Sequence, residues 1–182
     1  MSGSSSTTAE LKAVGLSTAA WWCVGGTVLL LVDAIVRLTP IALEPILAGE
    51  LTVATGAVYL LSMAFMAYAE GYRGFQLQFS PRLAARARVI DQTPWWVRAL
   101  APLYGMGMIY APRRRLIASW LLVFGIVLMI VMIRYLPQPW RGAVDAGVVV
   151  GLTWGALSVM VETARAWGGQ PASVEPELPT RR

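Results

Sequence analysis

Four long apolar runs, none with an ionisable residue at its middle, constrain this chain more than any other feature. The runs cover residues 16–36, 51–68, 116–133 and 143–161. A bilayer core of about 30 Å needs roughly 20 helical residues at 1.5 Å each. The runs are continuously apolar and do not alternate with period two, which favours helices over barrel strands. The sequence therefore predicts an all-α, polytopic membrane protein with four transmembrane helices.

Composition and length agree with one small membrane domain. The mean hydropathy is +0.59 and only 14% of the residues are charged, whereas soluble domains carry roughly a quarter. We expect a single four-helix domain at 16–167, with short loops at 37–50 and 134–142. The small polar residues at 1–15 predict a disordered N-terminus, and the proline-containing stretch 168–182 predicts a disordered tail.

Positive charge is distributed unevenly between the two ends of the predicted helices. Placing the loop 73–115 in the cytoplasm puts 12 of the 15 lysines and arginines inside, and leaves only Arg37, Arg134 and Arg141 outside. Loops rich in positive charge stay on the cytoplasmic side. The sequence therefore predicts a multi-pass protein of a bacterial inner (plasma) membrane with both termini in the cytoplasm.

The cytoplasmic loop 73–115 is predicted to contain short interfacial helices. Ser80-Pro81 and Thr93-Pro94 each pair an N-cap residue with a proline, the pattern that opens a helix. After the first start, apolar residues follow one stripe and arginines lie off it, as in helices that lie in the headgroup plane. The apolar stretch 99–111 is too short to span a bilayer and is either interfacial or re-entrant.

The arginines of this loop are the strongest functional feature of the sequence. Arginine binds phosphate through a planar fork of donors, and a basic residue near an anionic surface contributes about 1 kcal/mol. Orienting the protein would by itself require a positive loop, so topology determination remains the alternative. The candidate lipid or phosphate ligands are Arg82, Arg86, Arg88, Arg113, Arg114 and Arg115.

A second feature is a ladder of small residues on the fourth apolar run. Gly147, Gly151 and Gly155 recur every fourth residue, which lets a neighbouring helix backbone approach closely. The ladder predicts packing against the first or second helix, or else self-association or docking to a partner subunit. Gly25 and Gly26, at the middle of the first run, are the predicted receiving surface.

Acidic residues near the apolar runs all have an arginine close by in sequence. Asp33 with Arg37, and Arg141 with Asp145, are opposite charges at i,i+4 spacing near the predicted outer ends of helices. We expect them to be interfacial pairs that set helix depth, with an outer functional site as the alternative. Glu70 is placed at an inner helix end, so no carboxylate is predicted at the bilayer centre and no proton relay is expected.

Catalytic signatures are missing from the sequence. It contains no histidine and no nucleotide-binding loop, hydrolase elbow or acidic metal motif. We expect no catalysis, no cofactor and no metal site. The expected function is a scaffold, accessory or assembly subunit that contacts anionic lipid of the inner leaflet. A membrane protein or a second copy is a possible partner, and nucleic acid is not expected. A small oligomeric transporter or channel, and less strongly a lipid-modifying enzyme, remain open.

Overall fold

The computed structural model describes residues 17–170 and 173–179, so the predicted N-terminal disorder at 1–15 concerns residues outside the described ranges. The described chain is helical and contains no strand. Its helices are α1 (Thr18–Leu47), α2 (Val53–Met66), a π-helical segment (Ala67–Phe79), α3 (Ser80–Arg88), α4 (Trp95–Ala99), α5 (Ala101–Gly105), α6 (Arg113–Ile133) and α7 (Trp140–Trp167). A single 3₁₀ turn, Ile90–Gln92, separates α3 from α4.

Four helices are long and apolar enough to cross a membrane. They are α1, α6, α7 and one continuous helix of 36 residues, Val53–Arg88, which joins α2, the π-helical segment and α3. We call this continuous helix the second long helix. The prediction of an all-helical chain with four such helices is confirmed.

The first long helix continues through most of the stretch 37–50 that was predicted to be a loop. Pro40 and Pro45 lie inside α1 and do not end it. Pro45 is buried, and its Cγ lies 3.1 Å from the position that a Cβ on Gly142 would take, so tertiary packing holds this turn in place. The helix ends at Leu47, and Gly49, two residues on, has a φ of 69°, the left-handed conformation common just beyond a helix end.

The second long helix extends well past residue 68, where its apolar run ends. Thr52 and Thr55 form a reciprocal capping box at its start. Where the π-helical segment ends, the Ser80 amide donates to the carbonyl of Phe75, five residues earlier, as in a π-helix. The residues from 67 to 79 are too polar to be recognised by hydropathy, although no proline interrupts them.

Helix α7 lies at the centre of the fold. It packs along α1 on one side, and along α2, the π-helical segment and α3 on the other. The α1–α2 and α6–α7 connections meet at what we call the turn end, where Gln138 Nε2 donates to Glu44 Oε2 at 2.9 Å. The opposite end, which we call the arginine end, gathers α3, α4, α5 and the C-terminal segment 173–179.

Helix α6 lies beside this core rather than in it. Within the described residues it makes no extensive contact with another helix. Side chains near its start attach it to the preceding loop: Ser119 Oγ donates to the Met106 carbonyl at 3.3 Å, and Trp120 Nε1 donates to the Met108 carbonyl at 3.1 Å. Most of its remaining surface is exposed, with a mean hydropathy of 2.9 over its most apolar stretch.

Candidate functional site

The glycine ladder of α7 faces the second long helix. A Cβ on Gly151 would lie 2.9 Å from Glu70 Oε2, and a Cβ on Gly155 would lie 2.5 Å from Phe75 Cγ. Gly147 meets the same helix one turn earlier. Later residues of α7 meet later residues of the second long helix, so these two helices run parallel. The ladder therefore packs against another helix of the same chain.

Gly25 and Gly26 of α1, which were predicted to receive the ladder, do not face α7's glycines. In the described part of the chain, no atom beyond the backbone of α1 and the two adjacent residues lies within 4 Å of a Cβ position on Gly25, and a Cβ on Gly26 would collide with the Pro102 ring of α5. A Cβ on Gly105 of α5 would lie 2.7 Å from Cys23 Sγ. Gly25 and Gly26 therefore do not receive the ladder. The stretch 99–111 instead folds back so that α5 packs against the side of α1.

Arg86 is buried at the arginine end, with 2% of its surface exposed. Its Nε donates to the Tyr104 carbonyl at 2.7 Å, and its Nη2 donates to the carbonyls of Ile109 and Tyr110 at 3.1 Å each. Its Nη1 donates to the carbonyl of Glu177. Every guanidinium nitrogen thus has a protein acceptor, so the Arg86 side chain is engaged inside the protein and is not presented on the surface where the sequence placed it.

The Arg86 guanidinium also stacks on an aromatic ring. Its Cζ lies 4.0 Å from the ring centroid of Tyr104, which is completely buried. Burial raises the pKa of Tyr104 to about 12, partly offset by the positive charge of Arg86. The ring therefore stays a neutral phenol below the cation, the arrangement of a cation–π contact. Arg86 joins α3, α5, the loop after α5 and the C-terminal segment.

Two further arginines flank the side chain of Glu177. Its Oε2 lies 3.6 Å from Arg115 Nε and its Oε1 lies 3.9 Å from Arg82 Nε. The side chains of Glu177, Arg82 and Arg115 are 41%, 32% and 22% exposed. We call the space between the two guanidinium groups the Arg82–Arg115 cleft. The segment 173–179, part of the predicted disordered tail, forms no helix or strand but contacts this cleft.

The remaining predicted lipid ligands lie on the surface of the arginine end. Arg88 is half-buried and donates to the Gln170 carbonyl at 2.6 Å. Arg113 and Arg114 are exposed on the first turn of α6. Exposed arginines and tryptophans at this end form what we call the belt: Arg98, Arg113, Arg114, Trp21, Trp22, Trp95 and Trp96.

The two predicted i,i+4 pairs differ in burial. Arg37 Nε lies 2.9 Å from Asp33 Oδ2, and both side chains are largely exposed. Arg141 Nε lies 3.6 Å from Asp145 Oδ2, and the Asp145 side chain is only 7% exposed. The structure does not bring these two pairs together into one site, because the first is on the surface of α1 and the second faces the interior at the start of α7.

Glu70 lies at a different place from the inner helix end that the sequence predicted. It lies midway along the second long helix, and its buried Oε2 has no hydrogen-bond partner among the residues that the structure describes. It faces Gly151, which comes 11 residues after Trp140, or about 16 Å at 1.5 Å per residue. Arg73, the arginine nearest to it in sequence, is exposed, and the described residues show no ion pair between the two. The sequence did contain one sign that the helix continues: no proline occurs between the end of the apolar run at residue 68 and Pro81.

Metal and small-molecule sites receive no support from the described part of the chain. In residues 17–170 and 173–179, no three histidine, cysteine, aspartate or glutamate side chains come together as a possible metal site. A cavity of about 170 Å³ lies between α3, the end of α7 and Ser173, which is smaller than typical small-molecule sites. Comparison with known proteins finds no matching family model, no similar curated protein and no similar solved structure.

Proposed function

We propose that this chain is a multi-pass inner-membrane protein that holds its arginine end against anionic lipid headgroups. In this role it acts as a non-catalytic scaffold or accessory subunit. The observation that carries the proposal is the belt, where exposed arginines and tryptophans occur together at one end of four long apolar helices. Tryptophan favours the membrane interface, and arginine-rich ends favour the cytoplasmic side.

The energetic scale of the belt supports a stable contact. Its three arginines would together contribute about 3 kcal/mol, taking about 1 kcal/mol for each basic residue near an anionic surface. The turn end offers less attraction for anionic lipid, because Arg37 and Arg141 are already paired with carboxylates. Among the described residues, Arg134 is the one arginine at that end outside such a pair. This asymmetry supports an orientation in which the arginine end and both termini are cytoplasmic.

Two exposed arginines at opposite ends of α6 provide a matched test. Arg114 is at its first turn and Arg134 is its C-cap. We expect Arg114→Gln to lower the affinity for phosphatidylglycerol about fivefold, the equivalent of roughly 1 kcal/mol, and Arg134→Gln to leave it unchanged. The measurement is native mass spectrometry of the detergent-purified chain titrated with phosphatidylglycerol and with phosphatidylcholine. Equal losses from both variants, or no loss from either, would refute the proposed lipid contact.

A second function is favoured by one specific observation, the position of Glu70. In the proposed membrane setting this carboxyl group lies at mid-depth, with one oxygen covered by α7 and without a donor. A charged carboxylate in such a place is costly, and ionisable groups inside membranes commonly carry protons or ions. Glu70 therefore supports a small proton- or cation-conducting protein as the alternative to a pure scaffold.

Reconstitution into liposomes separates the two functions. The conducting function predicts that the chain dissipates an imposed pH or sodium gradient, and that Glu70→Gln abolishes this flux. Glu162→Gln is the matched control, because Glu162 lies near the arginine end of α7 in an ion pair with Arg165. If the flux is absent, or is equal for the chain and Glu70→Gln, the conducting function is rejected and the scaffold remains.

A further inference from the structure

We propose that the Arg82–Arg115 cleft is a binding site for a phosphomonoester, with the headgroup of a lipid such as phosphatidic acid as its source, and that Glu177 is a tethered competitor for this site. The inference rests on the proposed contact with anionic lipid and assigns it a specific site. It adds that the C-terminal segment controls access to the cleft.

The cleft is held in shape by its surroundings. Arg82 is on α3, next to the buried Arg86 that fixes the backbone of the C-terminal segment. Arg115 passes over Gly107, whose φ is 74°, and a Cβ at that position would lie 2.8 Å from Arg115 Nε. A side chain on residue 107 would therefore displace the Arg115 guanidinium. The glycine leaves space for a second cation beside Arg82.

The carboxylate of Glu177 fits this cleft incompletely. Its oxygens are 3.6 and 3.9 Å from the arginine nitrogens, whereas charge-assisted hydrogen bonds are about 2.7–2.9 Å. Two guanidinium groups repel each other, and a single carboxylate neutralises only one of them. A phosphomonoester carries about −1.5 to −2 charges at pH 7 and three acceptor oxygens. It therefore matches the charge and the donors of both arginines better than Glu177 does.

The attachment of Glu177 lets its carboxylate compete with a phosphomonoester for the cleft without closing the cleft permanently. Its backbone is held by Arg86, so its side chain stays close to the cleft at a high effective concentration. Exposed ion pairs of this kind are weak, so the carboxylate can leave when a stronger anion arrives. The weak pair predicts that removing the carboxylate tightens phosphomonoester binding by about two- to sixfold.

The experiment titrates the full-length chain, purified in detergent, with short-chain phosphatidic acid and separately with inorganic phosphate, using isothermal titration calorimetry. We expect Glu177→Gln to bind two- to sixfold more tightly than the unaltered chain. Glu175→Gln is the matched control, because Glu175 is an exposed acid two residues away in the same segment. An effect seen with phosphatidic acid alone supports the lipid source, and an effect of the same size with inorganic phosphate supports a soluble phosphate.

A second variant connects the effect to the cleft. Replacing both Arg82 and Arg115 with glutamine should weaken binding by about tenfold or more and remove the difference between Glu177→Gln and the unaltered chain. If Glu177→Gln binds like Glu175→Gln with both probes, the inference is overturned. The belt test with Arg114→Gln is independent of this outcome, so failure of the cleft and failure of the proposed lipid contact are distinguishable.

Discussion

Replacing Arg86 with leucine should release α5 from the side of α1. The change removes the buried hydrogen bond to the Tyr104 carbonyl, worth about 1.5–3 kcal/mol for a charged donor, and the ring contact, worth about 0.5–2 kcal/mol. The three half-buried carbonyl partners add about 1 kcal/mol, since water replaces part of what they lose. The expected cost is about 3–6 kcal/mol.

The single cysteine of the chain reports this release directly. Cys23 is completely buried under Gly105 of α5, so a maleimide reaches its thiol only when α5 moves away. When opening and closing are fast, the labelling rate follows the population of the open form. At a factor of ten per 1.4 kcal/mol, Arg86→Leu should label about 10²- to 10⁴-fold faster, as measured by intact mass after N-ethylmaleimide treatment.

Arg88→Leu is the matched control for this experiment. Arg88 is on the same helix in a half-buried position, and within the described residues its side chain makes one hydrogen bond, to the Gln170 carbonyl. Its loss should change the labelling rate by no more than about fivefold, corresponding to roughly 1 kcal/mol. If Arg86→Leu and Arg88→Leu expose Cys23 at the same rate, the four carbonyl contacts of Arg86 do not hold α5 in place.

Two further predictions concern the helix contacts. Gly155→Leu should lower the midpoint of thermal unfolding by several degrees, because overpacking against Phe75 costs about 1–3 kcal/mol. Gly125→Leu on α6 is the control, since its new side chain meets open space among the described residues and should not lower the midpoint. Equal decreases for both variants would contradict the packing of Gly155 on Phe75. Arg141→Leu should lower the free energy of unfolding, measured by denaturant titration, by about 1–3 kcal/mol because it leaves the buried Asp145 carboxylate without its partner. Arg37→Leu should cost at most about 1 kcal/mol, since its pair is exposed, and a larger cost than for Arg141→Leu would overturn the ranking by burial.

The four long helices could be predicted because apolar length requires no knowledge of neighbours. The third predicted run, 116–133, differs from α6 only by the three arginines at its start. The ends of the other helices depend on tertiary contacts and glycine conformation. A loop was expected at 37–50, yet the first helix continues to Leu47 with Pro45 packed against Gly142, and the left-handed Gly49 follows just beyond its end.

The site residues that were placed wrongly share one cause, which is dependence on distant partners. The stripe pattern put Arg86 on a polar surface, but its acceptors include Tyr104 and Glu177, which are 18 and 91 residues away in sequence. Hydropathy placed Glu70 at a helix end because the following residues are polar. Their helix continues because α7 covers it, through Gly151 against Glu70 and Gly155 against Phe75.

The parallel packing of α7 on the second long helix requires a long connection between them, and α6 provides it. Two neighbouring helices that point the same way cannot be joined by a tight turn, so the chain must travel back along the whole length of the bundle between them. Helix α6 is that return path, and within the described residues it makes no extensive contact with another helix. Any apolar helix of similar length should serve, and we expect this stretch to accept shuffled aliphatic sequences that the ladder of α7 would not tolerate.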